Sequence, residues 1–153
     1  MGYYSDVRIG TTKKGFEILK ETIKHHYSDM LKEELKDLPV ESQDKNTITV
    51  RSKMGILECH EKRFCLKLEK LAERNVKGKD YVMFGWDYIK WLGYNFVDQR
   101  ALRRAMVKSG EPFHIVAVGE DGASDEDYIN GADDDYDMPG LYYHTIVDDG
   151  EWT

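Results

Sequence analysis

The stretch Tyr81-Val82-Met83-Phe84-Gly85-Trp86-Asp87-Tyr88-Ile89-Lys90-Trp91-Leu92 constrains this chain more than any other. It is dense in aromatic and β-branched residues, too short for two buried helices, and bounded by Gly78 and Gly93. Such a stretch reads as the long central strand of a sheet. Period-two sorting puts Val82, Phe84, Trp86, Tyr88 and Leu92 on one face and Tyr81, Met83, Ile89 and Trp91 on the other. Both faces are largely apolar, so the strand is expected to be covered on each side. Asp87 interrupts the second face, and Gly85 beside it leaves room.

The segments around it alternate between strand and helix patterns. Tyr3–Gly10 alternates as a first strand, and Thr11 or Thr12 can cap the helix that follows. Phe16, Leu19, Ile23, Tyr27, Met30 and Leu31 form one apolar stripe, which Pro39 ends. Residues 40–46 read as a polar loop and 47–51 as a short strand. A strand or turn near 55–58 is expected next, followed by a helix over 62–74 that Glu69 to Glu73 favour.

Asp98 caps a helix over 99–108 that buries Ala101, Leu102, Ala105 and Met106, with Gly110 at its C-terminal turn. A strand over 113–118 and a last strand over 141–147 enclose an acidic loop, 120–140, with one helical turn near 125–129; an acidic tail, 148–153, follows. The order predicts one α+β domain spanning 1–153, a mostly antiparallel sheet with helices on one face and ferredoxin-like character.

Charge is divided along the chain. All 22 Lys and Arg lie in 1–108, whereas 13 of the 29 Asp and Glu lie in 109–153, for a net charge of −7. A single-sign field of this kind steers association with a cationic surface. The candidate partner-binding residues are therefore Glu120, Asp121, Asp125, Glu126, Asp127, Asp133, Asp134, Asp135 and Asp137, with Asp148, Asp149 and Glu151 behind them. Tyr128, Tyr136, Tyr142 and Tyr143 supply rigid aromatic anchors among these acids.

Other chemistries fit less well. Cys59 and Cys65 stand too far apart for a paired zinc ligand set with His60, His25, His26, His114 or His144, and they read as reduced thiols. The acids at 133–137 alternate as calcium ligands do, but Met138 stands where the turn glycine belongs and His144 where the bidentate Glu belongs. No cofactor or metal is expected. Asp6 and Asp87 with His114 or His144 could form an acid–base cluster, although a carboxylate interrupting a strand face more often pairs with a cation such as Arg8. Arg100, Arg103, Arg104 and Lys108 could meet phosphate, but neutralising the chain's own acidic third is the stronger expectation. No apolar run approaches the roughly 20 residues of a membrane span. The opening residues lack signal-peptide character, and Asp6 stands where a myristoylation motif wants Ser or Thr.

Three segments carry a resemblance: Met1–Val7, Trp86-Asp87-Tyr88-Ile89-Lys90-Trp91, and Phe113–Asp121 running into the acidic loop. In these the chain resembles a group of small accessory proteins encoded by tailed phages and prophages, while residues 39–74 depart from that pattern. The resemblance implies an α+β fold acting in the cytoplasm of an infected host, and it brings no catalytic residues. The leading expectation is a non-enzymatic inhibitor of a host defence system, of the anti-CRISPR kind. Its acidic surface would mimic nucleic acid before a basic groove, with neither membrane nor nucleic acid as partner. Two alternatives stand beside it: an enzyme or sequestering protein for a nucleotide signal, using Asp87, His114 and His144, and a nucleic-acid binder using the basic helix.

Overall fold

The computed structural model describes residues 4–35, 40–43, 48–52, 55–59, 66–91, 97–143 and 147–152. Its centre is a five-stranded antiparallel sheet. The strands are β1 (Tyr4–Thr12), β5 (Lys70–Val76), β6 (Lys79–Lys90), β7 (Phe113–Gly119) and β8 (Ser124–Ile129), in the order β5-β6-β1-β7-β8. Helix α1 (Lys13–Leu35) follows β1, and α2 (Val97–Ser109) joins β6 to β7. The pair β1 and β5 flanks β6, and the pair β6 and β7 flanks β1. Two interleaved split β-α-β units result, the arrangement of ferredoxin-like folds, with β8 added at one edge.

Helix α1 starts where Thr12 Oγ1 accepts the Gly15 N–H at 3.0 Å, the side-chain cap the sequence offers. Its stripe of Phe16, Leu19, Ile23, Tyr27 and Met30 is buried with Ala101, Leu102, Ala105 and Met106 of α2. Both helices cover one sheet face, meeting Val7, Ile9, Val82, Phe84, Phe113 and Ile115. Each of the larger side chains contributes about 1.5–3 kcal/mol by leaving water. The opposite face, Tyr81, Met83, Val116 and Val118, is closed by Leu141 and Trp152 from the C-terminal segment.

The long strand β6 changes face part-way. Val7 pairs with Trp86 but Ser5 with Ile89, so Asp87 and Tyr88 together oppose Asp6 in a β-bulge. Tyr88 takes the left-handed φ of 53°, and its N–H donates to Asp6 Oδ1 at 2.9 Å. The extra residue carries Ile89 and Trp91 to the helix side, where Val82, Phe84 and Trp86 already lie. Uninterrupted alternation had placed Ile89 and Trp91 on the other face. Tyr88 stacks on Tyr4, with ring centroids 4.3 Å apart.

Both edges of the sheet depart from the sequence reading. Lys70–Val76, expected as the end of a helix, is the edge strand β5. Ser124–Ile129, expected as acidic loop with a helical turn, is the edge strand β8; helical geometry appears only as a 3-10 turn, η1, at Ala132–Asp134. Val40–Gln43 (β2), expected in a loop, pairs with β3 (Ile48–Ser52), and β4 (Gly55–Cys59) completes a separate three-stranded sheet. The expected last strand is two short ones, β9 (Tyr142–Tyr143) and β10 (Val147–Asp148), paired antiparallel before a second 3-10 turn, η2 (Gly150–Trp152). The readings that fell on His60, Lys62 to Cys65, Leu92 and His144 lie outside the described residues.

Candidate functional site

The candidate surface begins in the turn after β7. Gly119 N–H donates to Ala123 O at 2.8 Å, Gly122 takes a left-handed φ of 81°, and Asp121 Oδ1 accepts the Ala123 N–H at 3.0 Å. Glu120 is tied back to β1, where its carboxylate accepts the Tyr4 N–H at 2.9 Å. The chain then runs along β7 as β8, with His114 opposite Tyr128, Val116 opposite Glu126 and Ala117 opposite Asp125. Alternation therefore sends Asp125 and Asp127 to one face and Glu126 and Tyr128 to the other.

On the helix side, Asp127 meets Arg103 of α2 at 3.0 Å. The basic helix thus turns at least one of its cations on the chain's own acids, as the charge split predicted. On the other face, Glu126 Oε1 lies 2.6 Å from His114 Nε2 and accepts the Tyr128 hydroxyl at 2.5 Å. The imidazole and phenol rings stack at 4.4 Å and 3°. His114 is buried, while Tyr128 remains 45% exposed. The three side chains satisfy one another, a polar cluster fastening the edge strand to the sheet.

Beyond β8 the chain turns through Asn130 and Gly131, both left-handed. Asn130 Nδ2 donates to Met106 O at 3.0 Å and Glu111 O at 2.9 Å, pinning the turn to the end of α2. Asp133 and Asp134 of η1 and Asp125 of β8 are exposed and have no partner among the described residues. Asp135 instead accepts the Tyr81 hydroxyl at 3.0 Å and the Asp137 N–H at 3.2 Å, and Asp137 meets Lys77 at 3.2 Å. Between them Tyr136 is 90% exposed. Tyr142 is 49% exposed and shares Glu151 with the Gly140 N–H, the two donors lying 3.2 and 3.1 Å from its oxygens. Tyr143 stands beside it on β9.

The acids expected to form one open surface therefore divide. Some hold the fold, and Asp125, Asp133 and Asp134 stay exposed and unpartnered among the described residues. Tyr128 on β8, Tyr136 after η1 and Tyr142 on β9 stay accessible. The pairing with Arg8 that the sequence offered for a strand-face carboxylate is present, its guanidinium lying 2.8 Å from Asp87; the sequence did not show that it also reaches Asp149, at 3.1 Å. That guanidinium also donates to Val7 O and Trp86 O at 3.0 and 3.2 Å. Asp87 thus belongs to an ion-pair cluster, and His114 to the Glu126–Tyr128 cluster; the two share no residue. Asp6 is engaged by the bulge. Among the described residues no three His, Cys, Asp or Glu are placed to hold a metal ion, and no helix is long and apolar enough to cross a membrane.

The Tyr81–Asp135 bond ties this surface to the core and gives a pH signature. Burial, and then the Asp135 carboxylate, push the Tyr81 phenol above its ordinary value of 10.0. A raised folded value means that the native state keeps its proton after the unfolded chain has lost it. The resulting stability is complete below about pH 10 and is lost as pH rises from there toward the folded value. Tyr81→Phe is expected to cost about 1 kcal/mol at neutral pH. In urea unfolding between pH 10 and 11 the parent should lose stability faster than this variant, approaching about 1.4 kcal/mol per pH unit. Parallel pH profiles would refute the buried bond.

Compared with known proteins, the chain matches no family model, no curated protein and no solved structure.

Proposed function

We propose that the protein is a non-enzymatic binding protein that sets its acidic, tyrosine-bearing C-terminal surface against a cationic partner. The observation that carries this reading is Asp133 and Asp134, exposed and without partners among the described residues, followed two positions on by a 90% exposed Tyr136, with Asp125 likewise exposed and unpartnered on β8. Unpaired carboxylates on a surface segment with no Lys or Arg of its own attract a basic surface and lose little hydration until contact. Their mount is stiff, because Asn130 and Asp135 fasten the turn to α2 and β6. Stiffness lowers the ordering cost of association.

A groove built to hold nucleic-acid phosphates is the cationic surface such a set suits best. The resemblance to phage accessory proteins supports placing that groove on a host defence system, so the protein would act as an inhibitor of the anti-CRISPR kind. The triple variant Asp125→Asn, Asp133→Asn, Asp134→Asn tests this, since none of the three holds the fold. Affinity for the partner recovered by the parent from host lysate should fall at least about tenfold at low salt. Its salt dependence should flatten while the urea midpoint stays put. Unchanged inhibition by a folded triple variant would end the reading.

A further inference from the structure

The turn that carries β8 into η1 is built around one side-chain amide. Asn130 and Gly131 take left-handed φ values of 55° and 77°, which Asn and Gly accept with the least strain. The Asn130 amide reaches the C-terminal end of α2, where Nδ2 donates to Met106 O at 3.0 Å, Val107 O at 3.3 Å and Glu111 O at 2.9 Å. Met106 and Val107 stand in the last turn of α2, whose carbonyls lie beyond the helix's own N–H donors. Asn130 and Gly131 are exposed, and a Cβ at Gly131 would meet nothing within 4 Å, so water reaches the turn.

Asn130-Gly131 is also the one Asn-Gly step of the chain, since Asn46, Asn75 and Asn95 precede Thr47, Val76 and Phe96. Branched and aromatic side chains crowd the backbone nitrogen that they follow, whereas a glycine nitrogen is open to act as a nucleophile. We infer that Asn130 is a deamidation site, latched by its bonds to α2 and reactive when that latch opens. In the reaction the Gly131 nitrogen attacks Asn130 Cγ, the Cγ–Nδ2 bond breaks, and the amide leaves as ammonia with the proton that the Gly131 nitrogen gives up. Water then opens the cyclic imide, its oxygen entering the new carboxylate and one of its protons returning to the Gly131 nitrogen. Opening at one carbonyl gives aspartate, and at the other isoaspartate, whose main chain is longer by the Cβ.

The amide nitrogen that must leave is the one that holds the three carbonyls, so the native latch and the reaction exclude each other. Local opening of the turn sets the rate. Once it has reacted, the latch cannot close again. A carboxylate has no proton to donate to three carbonyl oxygens, and it brings negative charge to the negative end of the α2 dipole. The change is therefore one-way, and it frees the turn that leads into Asp133 and Asp134 of η1. It rests on the chemistry of the turn alone, whatever the acidic surface meets.

The test holds the full chain and a peptide of residues 127–133 in mildly alkaline buffer and follows the amide-to-acid mass change by peptide mapping. The peptide should deamidate, and the folded chain should do so at Asn130 at least about tenfold more slowly. Urea below the unfolding midpoint should bring Asn130 toward the peptide's rate while Asn46, Asn75 and Asn95 stay intact. Asn130→Asp should raise the unfolding equilibrium constant at least about tenfold and speed amide exchange over 130–134. Deamidation of the folded chain at the peptide's rate would remove the latch, and an intact Asn130 in urea would remove the site. An Asn130→Asp variant as stable as the parent would show that the carboxylate is accepted and the change is not one-way.

Discussion

Gly85→Ala should cost on the order of 4 kcal/mol, enough to remove a large share of the 5–15 kcal/mol that typically holds a domain together. A Cβ at Gly85 would stand 2.0 Å from Val7 O, 2.9 Å from Val7 C and 3.0 Å from Arg8 Cα. All three are backbone atoms of β1, so no rotamer change relieves the overlap. The central strands β1 and β6 would have to separate, and the Arg8 hydrogen bonds to Val7 O and Trp86 O lie at the same crossing. Gly78→Ala is the control. Its Cβ would meet nothing within 4 Å, and only its left-handed φ of 84° opposes the change, at about 1 kcal/mol. Urea unfolding of both variants checks the contrast. A Gly85→Ala loss no larger than that of Gly78→Ala would mean that β1 and β6 do not meet there.

The interior was legible in the sequence because its signals are local. The stripe from Phe16 to Met30 and the four apolar positions of α2 each follow one periodicity and are buried where it says, and the mainly apolar run of β7 is buried along its whole length. The edges were not legible. Lys-Leu-Ala-Glu-Arg-Asn-Val has the composition of a helix, and Ser-Asp-Glu-Asp-Tyr-Ile that of a loop. Edge strands carry charge because they face water on one side, which hides their alternation. Pairing with β6 and β7 overrides those weak local preferences. The face change in β6 also depends on a neighbour, since the Asp6 carboxylate supplies the partner for the Tyr88 N–H.

The same division governs the candidate surface. The excess of acids after Ser109 can be counted in the sequence, but which of them face solvent is a tertiary fact. Asp149 is taken by Arg8 across 141 positions, and Asp135 by Tyr81 across 54. Charge alone does not separate Asp134, which has no partner, from Asp135, which anchors the segment. The pairing of Asp87 with Arg8 could be expected, because two residues on neighbouring strands with opposite charges rarely stay apart when both are tethered.

Trp152→Ala is the second large effect, and it connects the fold to the proposed surface. The indole is 3% exposed and lies over Gly10, where a Cβ would come within 2.9 Å of its Cζ2. Its Nε1 has no hydrogen-bond partner among the described residues, so its anchoring there is packing. Truncating a buried Trp costs about 3–5 kcal/mol. The cluster it closes, with Tyr81, Met83, Val116, Val118 and Leu141, has few side chains able to fill the gap. A fall of about 8–15 °C in the thermal midpoint should result.

Before that midpoint, residues 138–143 and 147–152 should exchange amide hydrogens faster than β1 and β7, because the ring, with Leu141 and Met138, packs them on the sheet. The Arg74 bond to Glu151 O at 2.7 Å and the Arg8 contact with Asp149 would loosen with it. Partner affinity should then fall although Asp125, Asp133 and Asp134 are all present, since an unfastened neighbouring segment must be ordered on binding. Trp152→Phe should restore most of both properties by refilling the slot. If Trp152→Ala instead unfolds within about 1 kcal/mol of the parent and leaves exchange in 138–143 and 147–152 unchanged, the indole does not fasten these residues.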